Sequence, residues 1–199
     1  MTQIKLCGLR RPEDIEAANR LKPEYIGFVF ARKSKRYVDP ETALSLKKSL
    51  SPDIKAVGVF VNEELSVVAN LLKRGVIDVA QLHGSESEDY IAELKAAAGK
   101  PVIRAFKVAS SEDVAVAVNS SADQILLDAG AGDGVTFDWS IVKNVERPFF
   151  LAGGLNPLNV ADAVEAVHPF AVDVSSGIET DGVKDTDKMA AFVKAVRKD

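Results

Sequence analysis

One cysteine, two histidines and one tryptophan stand in 199 residues, and each scarcity excludes something. A lone cysteine, Cys7, cannot form an internal disulfide or a thiolate-rich zinc site. His83 and His168 are too few for a histidine-rich metal centre. No apolar run approaches the roughly 18 residues that a membrane span requires, so no membrane association is expected. A surplus of positive charge is missing as well. The net charge is −4, which argues against a general affinity for nucleic acid or anionic lipid. Met1 to Gly8 carries neither the basic segment nor the apolar core of a signal peptide, so the expected location is cytoplasmic. No Pro/Gly/Ser-rich linker and no low-complexity tract interrupts the chain, which reads as one domain over residues 1–199. Hydrophobic residues make up 47%, enough to build an ordinary core.

What the chain does contain is a repeat. Eight β-branched or aromatic runs, Ile4–Cys7, Tyr25–Phe30, Ile54–Val61, Ile77–Leu82, Val102–Phe106, Gln124–Asp128, Phe149–Ala152 and Phe170–Val174, are each followed by a helix-patterned stretch. Their starts lie 21 to 29 residues apart, a period that signals one recurring structural unit. One βα unit per period predicts a (β/α)₈ barrel of the α/β class. The helices show one-faced spacing at Leu65, Val68, Ala69 and Leu72, at Val160, Ala163, Val164 and Val167, and at Met189, Phe192, Val193 and Val196. Asp39-Pro40 and Asn156-Pro157 read as N-caps before a first-turn proline, Ser85 with Glu88 as a capping box, and Asp138 as the cap of a sixth helix. The strands read as continuous apolar runs, as parallel strands covered on both faces do. A doubly wound open sheet shares these features, but its Gly-x-Gly-x-x-Gly fingerprint is absent after the first run.

In a barrel of this kind chemistry sits where strands end, and loops after strands seven and eight frequently hold a phosphate. Leu151-Ala152-Gly153-Gly154-Leu155 and Val174-Ser175-Ser176-Gly177-Ile178 fit that role. Glycine lets the backbone approach an anion and free amides supply the donors. Cys7, at the mouth of the first strand beside Gly8, is either a buried structural residue or a base. A thiol with pKa about 8.5 is only about 3% thiolate at pH 7, so a base here needs nearby cations or dipoles. Asp128 closes an otherwise apolar strand, as a turn cap or as a general acid, and Asp173 at the end of strand eight is its rival. The stretch Arg32-Lys33-Ser34-Lys35-Arg36 is either a solvated loop or a second anion grip, in which the planar fork of Arg36 suits a carboxylate. His83, beside Gln81, can bond a substrate or cap a loop. His168, before a strand start, belongs to the stability face.

These residues, in this order, resemble the phosphoribosylanthranilate isomerase family of tryptophan biosynthesis. The matching pieces are Lys5-Leu6-Cys7-Gly8-Leu9, Gly27-Phe28-Val29-Phe30, Lys33-Ser34-Lys35-Arg36-Tyr37, Val59-Phe60-Val61-Asn62, Gln81-Leu82-His83-Gly84, Leu126-Leu127-Asp128, Thr136-Phe137-Asp138-Trp139, Gly153-Gly154-Leu155-Asn156-Pro157 and Val172-Asp173-Val174-Ser175-Ser176-Gly177. Arg10 and the loop Ala129–Val135 depart from the family's common pattern. The resemblance implies an Amadori rearrangement of phosphoribosylanthranilate without cofactor or metal, with Asp128 as acid and Cys7 as base. From their places at the strand ends, the candidate substrate contacts are Arg36, Gln81, His83 and Asp173, and the candidate phosphate contacts are Gly153, Gly154, Ser175, Ser176 and Gly177. The expected partner is that small molecule alone, with the protein a monomer or a homodimer. Two other classes stay open on the residues alone: another sugar-phosphate barrel enzyme such as indole-glycerol-phosphate synthase, and a non-catalytic phosphometabolite sensor. Lys107 is a single candidate lysine where such a lyase calls for several, and a sensor has no need of paired acid and base groups.

Overall fold

All eight apolar runs form strands: β1 (Gln3–Cys7), β2 (Tyr25–Val29), β3 (Lys55–Phe60), β4 (Val79–Leu82), β5 (Val102–Lys107), β6 (Gln124–Asp128), β7 (Phe149–Ala152) and β8 (Ala171–Val174). The computed structural model describes residues 1–128 and 139–197. In it each strand pairs in parallel with the next, and β1 pairs with both β2 and β8, which closes the ring. The expected (β/α)₈ barrel is therefore the observed fold, and closure excludes the open-sheet alternative. The crossovers are α1 (Pro12–Leu21), α2 (Pro40–Ser49), α3 (Leu65–Lys73), α4 (Glu88–Ala98), α5 (Ser111–Val118) and α6 (Val160–Val167), with α7 (Thr186–Arg197) after β8.

Side chains alternate across each strand, and the closed ring turns that alternation into an inside and an outside. Ile4, Leu6, Ile26, Phe28 and Leu127 point outward into the layer beneath the helices, where the apolar faces of α3, α6 and α7 also pack. Tyr25, Val57, Val79, Ile103, Leu126, Phe150 and Ala171 point inward and fill the lower barrel. Tyr25 and Phe170 meet the Phe150 ring edge-on at 5.4 and 5.7 Å and plug the floor. Above them, Cys7, Val29 and Val59 form a thin apolar lip at the C-terminal ends of the strands.

Local starts follow the sequence in part. Asp39 caps α2, accepting from the amides of Glu41 and Thr42. Ser85 with Glu88 is not a capping box. The cap of α4 is Ser87, whose hydroxyl accepts from the Tyr90 amide, while the Glu88 carboxylate accepts from Ser120 and Ser121 across the next loop. Asn156-Pro157 does not open α6 either. Asn156 closes a turn by accepting from the Leu158 amide, and α6 begins three residues after Pro157, at Val160. Between β6 and β7 the described residues hold a 3₁₀ turn, Trp139–Val142, in place of a sixth full helix. Asp138 and the loop Ala129–Val135 lie outside the described residues.

One element had no counterpart in the sequence reading. A two-rung hairpin, β9 (Glu179–Thr180) and β10 (Val183–Lys184), sits between β8 and α7. Its turn is Asp181-Gly182, with φ of 53° and 75°. That is the backbone of a type I′ turn, which Asp-Gly favours.

The floor plug gives a stability test. Phe150 is fully buried. Phe150→Ala is expected to cost about 3–5 kcal/mol, by lost transfer energy plus the cavity left behind. A fall in the urea midpoint at unchanged slope measures this; a midpoint within error of wild type contradicts the plug.

Candidate active site

The inward parity of β1 places Lys5 and Cys7 inside the barrel, one above the other. Lys5 is completely buried, and its ammonium donates to Asp173 Oδ1 on the neighbouring β8 at 3.0 Å. Burial pulls the Lys5 pKa down, but the charges of Asp173 and Cys7 lift it above its ordinary value, so it stays a cation. Burial pushes the Cys7 thiol above its ordinary value, Asp173 adds to that rise, and Lys5 and Lys184 pull against it without reversing it. A fixed cation is thus held next to the Cys7 sulfur. The register opposite Cys7 is Gly27, where an added Cβ would stand 2.7 Å from Sγ. Glycine there leaves the sulfur its room.

Across the mouth, β4 and β6 contribute a polar chain. Gln81 is buried, its amide nitrogen 3.2 Å from His83 Nδ1, and His83 Nε2 lies 3.4 Å from Asp128 Oδ2. With Gln81 donating, Nδ1 accepts and the ring proton sits on Nε2, facing Asp128. Gln81 Oε1 is buried without a hydrogen-bond partner among the described residues. Such an atom is costly to leave unpaired, and a ligand in the cavity can satisfy it.

Of the four cations after β2, Arg32, Lys33 and Lys35 are exposed and Arg36 alone turns inward. Its guanidinium is already engaged: Nε and Nη2 donate to the two Glu179 oxygens at 2.6 and 2.7 Å. Lys184, opposite Glu179 on the hairpin, donates to the same carboxylate at 2.6 Å and to the Ser175 carbonyl at 2.8 Å. Burial acts to raise the Glu179 carboxyl, but Arg36 and Lys184 overcome it and hold it at about 2.

Cys7, Arg36, Gln81, His83, Lys107, Asp128, Asp173, Gly153, Gly154, Ser175 and Ser176 line one cavity of about 570 Å³. Gly177 stands behind that lining. An added Cβ there would overlap the Leu155 carbonyl oxygen, so its glycine lets the loops after β7 and β8 pack together. Gly153 and Gly154 take φ of 96° and 66° in the turn after β7. His168 lies at the C-terminus of α6 with φ 46°, its amide donating to the Val164 carbonyl, in the structural role expected of it.

The family model for N-(5'phosphoribosyl)anthranilate (PRA) isomerase matches residues 4–195. The chain belongs to the phosphoribosylanthranilate isomerase family. It is 45% identical to the N-(5'-phosphoribosyl)anthranilate isomerase of Endomicrobium trichonymphae, with 99% of each chain covered. The crystal structure of the Thermotoga maritima isomerase superposes with a TM-score of 0.93 at 38% identity, covering all of both chains. An isomerase structure in complex with reduced 1-(o-carboxyphenylamino)-1-deoxyribulose 5-phosphate gives a TM-score of 0.90 at 38% identity, again over all of both chains.

In this isomerase fold the sequence reading missed Glu179, Lys184 and Glu86. Glu86 is a buried carboxylate that accepts from Arg104 Nη1 at 2.6 Å and from the Asn62 and Gly84 amides, and so fixes the loop after β4. The Asp181-Gly182 dipeptide was the available sign for the hairpin that carries Glu179 and Lys184. No comparable sign marked Glu86.

The Glu179 linkage has a definite sign. A carboxyl held at about 2 against its ordinary 4.5 contributes stability that is fully present above pH 4.5 and lost as pH falls toward 2. Glu179→Gln is therefore expected to be less stable than wild type at neutral pH, with the gap closing between pH 4.5 and 2. Urea titrations across that window measure it, and a gap independent of pH contradicts an ionic origin.

Proposed function

We propose that this cavity carries out the Amadori rearrangement of N-(5-phosphoribosyl)anthranilate to 1-(2-carboxyphenylamino)-1-deoxyribulose 5-phosphate, with Asp128 as general acid and Cys7 as general base. One observation carries the assignment: Cys7 and Asp128 end strands three apart around the ring, β1 and β6, and line the same cavity. Protonated Asp128 gives its proton to the ribose ring oxygen, and the bond from that oxygen to C1′ breaks. The anthranilate nitrogen supplies the electron pair, forming an iminium. That cation acidifies the proton on C2′. The Cys7 thiolate removes it, and the C–H pair becomes the C1′=C2′ bond of a neutral enolamine. Loss of the C2′ hydroxyl proton and protonation at C1′ then give the ketone. Asp128 has lost one proton and Cys7 gained one, so the reaction is a net isomerisation once the two are reset.

Lys5 supplies the positive charge that a thiolate at Cys7 needs, and Asp173 fixes Lys5. Gly153, Gly154, Ser175 and Ser176 suit the phosphate, with Gly177 letting their loops meet. Arg36 suits the anthranilate carboxylate, while Gln81 and His83 orient Asp128 and offer the unpaired Gln81 oxygen to the substrate. All these residues come from one chain, so the single barrel is the catalytic unit whether the protein works as a monomer or a homodimer. The reading includes a cytoplasmic location and no nucleic-acid partner.

Loss of the anthranilate-sugar fluorescence gives the assay. Cys7→Ala and Asp128→Asn are each expected to lower kcat by about two to four decades while substrate still binds; near-wild-type turnover removes the residue from the mechanism. Arg36→Met is expected mainly to raise KM, and an unchanged KM rejects the carboxylate grip. Lys5→Met removes the cation that opposes the burial of Cys7. The pH of half-maximal kcat/KM is then expected to move upward, and a profile that keeps its midpoint denies Lys5 this role.

A further inference from the structure

Glu179 and Lys184 lie directly opposite each other on one rung of the hairpin that follows β8. Both side chains are nearly buried, at 8% and 2% exposure, and they meet at 2.6 Å. Glu179 takes the guanidinium of Arg36 along one edge only, through Nε and Nη2. A guanidinium has five N–H groups, and its end edge, Nη1 with the second hydrogen of Nη2, is a further parallel fork. Among the described residues nothing accepts from Nη1, and Arg36 lines the cavity. Arg36, Lys184 and Glu179 together carry one uncompensated positive charge, which a bound carboxylate neutralises. The long, flexible Arg36 side chain loses its rotamer freedom to Glu179 before any substrate arrives, and preorganisation of that kind strengthens binding.

We propose that Glu179 is a positioning residue for substrate recognition: it holds the side edge of Arg36 so that the end edge faces the cavity, and thereby selects substrates whose aryl ring bears a carboxylate. The inference rests on the proposed contact between Arg36 and the anthranilate carboxylate, and it adds the residue that makes the contact selective. Lys184 extends the same device. By donating to Glu179 and to the Ser175 carbonyl, it ties the carboxylate grip to the loop assigned to the phosphate. Gly8 belongs to the arrangement too, since an added Cβ would come 2.6 Å from Arg36 Cδ and 3.4 Å from Lys184 Nζ.

The test compares phosphoribosylanthranilate with phosphoribosylaniline, which lacks the carboxylate, in wild type, Glu179→Gln and Arg36→Met. Glu179→Gln leaves Arg36 a neutral partner with a single acceptor oxygen. It is expected to raise KM for the carboxylated substrate about tenfold and to change kcat less than about twofold. The ratio of kcat/KM between the two substrates then falls about tenfold. An unchanged ratio, including an equal loss on both substrates, overturns the inference, because a merely structural role for Glu179 does not read the carboxylate. If Arg36→Met lowers the ratio and Glu179→Gln does not, the positioning role alone fails. If Arg36→Met leaves the ratio unchanged, the Arg36 contact fails and the role of Glu179 with it. Should Glu179→Gln not fold, Glu179→Asp, which keeps the charge but shortens the reach, is read on the same ratio with the same outcomes.

Discussion

The site depends on one constraint, the two-residue alternation of side chains in a ring of strands that closes. Each strand offers only two or three inward positions, and the last of them opens on the cavity. Along β1 these are Gln3, Lys5 and Cys7; along β6 they are Gln124, Leu126 and Asp128; along β8 they are Ala171 and Asp173. A slip of one residue in any register would exchange inside for outside. Ile4 and Leu6 would then enter the barrel, and Lys5 and Cys7 would meet the apolar faces of the helices. The hydrophobic layer outside the ring thus sets the chemistry inside it. Burying Ile4 and Leu6 against the helices is what directs Cys7 to the cavity.

Charge inside the barrel follows a different logic. Removing an ammonium such as Lys5 from water costs several kcal/mol, and a buried pair with Asp173 is weak evidence of stabilisation. What Lys5 secures is a fixed positive charge beside a sulfur whose thiolate form burial disfavours. Asp173 makes that lysine tolerable and immobile. The second cluster repeats the pattern, since Glu179 compensates Arg36 and Lys184 only partly and leaves one positive charge toward the cavity. In both clusters a protein carboxylate holds a cation in place at the cavity.

The barrel was legible because eight apolar runs recur at a spacing that one βα unit fills, and because those runs survive any error of one or two residues at their ends. Most of the cavity lining was legible for a related reason, since polar residues ending apolar strands stand out as exceptions. Cys7, Gln81, Asp128 and Asp173 are all of that kind. Local starts were less secure. Ser85-x-x-Glu88 matches a capping box in spacing, yet Ser87 lies at the true helix start and Glu88 finds better partners in Ser120 and Ser121. Asn156-Pro157 has the look of a helix entry but spends itself on a turn. The hairpin escaped because two-residue strands carry no readable periodicity, and Glu179 and Lys184 look like any charged loop until the fold sets them face to face. The fork of Arg36, read from the sequence as a grip for a substrate carboxylate, holds a carboxylate of the chain itself, Glu179.

Strand order adds a last step. Arg36 follows β2, Ser175 and Ser176 follow β8, and the strand between β8 and β2 in the ring is β1. A molecule with a carboxylate at one end and a phosphate at the other, held by those two loops as proposed, must cross the mouth of β1, where Cys7 stands. Its middle, the sugar, is thereby laid over the base without any side chain having to seek it. Asp128 on β6 and the pair of Gln81 on β4 and His83 just after it approach the same stretch from the far side of the ring. Fixing both ends before reaction removes most of the orientational freedom that would otherwise oppose it. On the proposed roles, the spacing of two anion grips around one strand selects the substrate's length and places the reacting carbons between the acid and the base. The hairpin rung of Glu179 and Lys184 is the strut that keeps those grips at a constant separation.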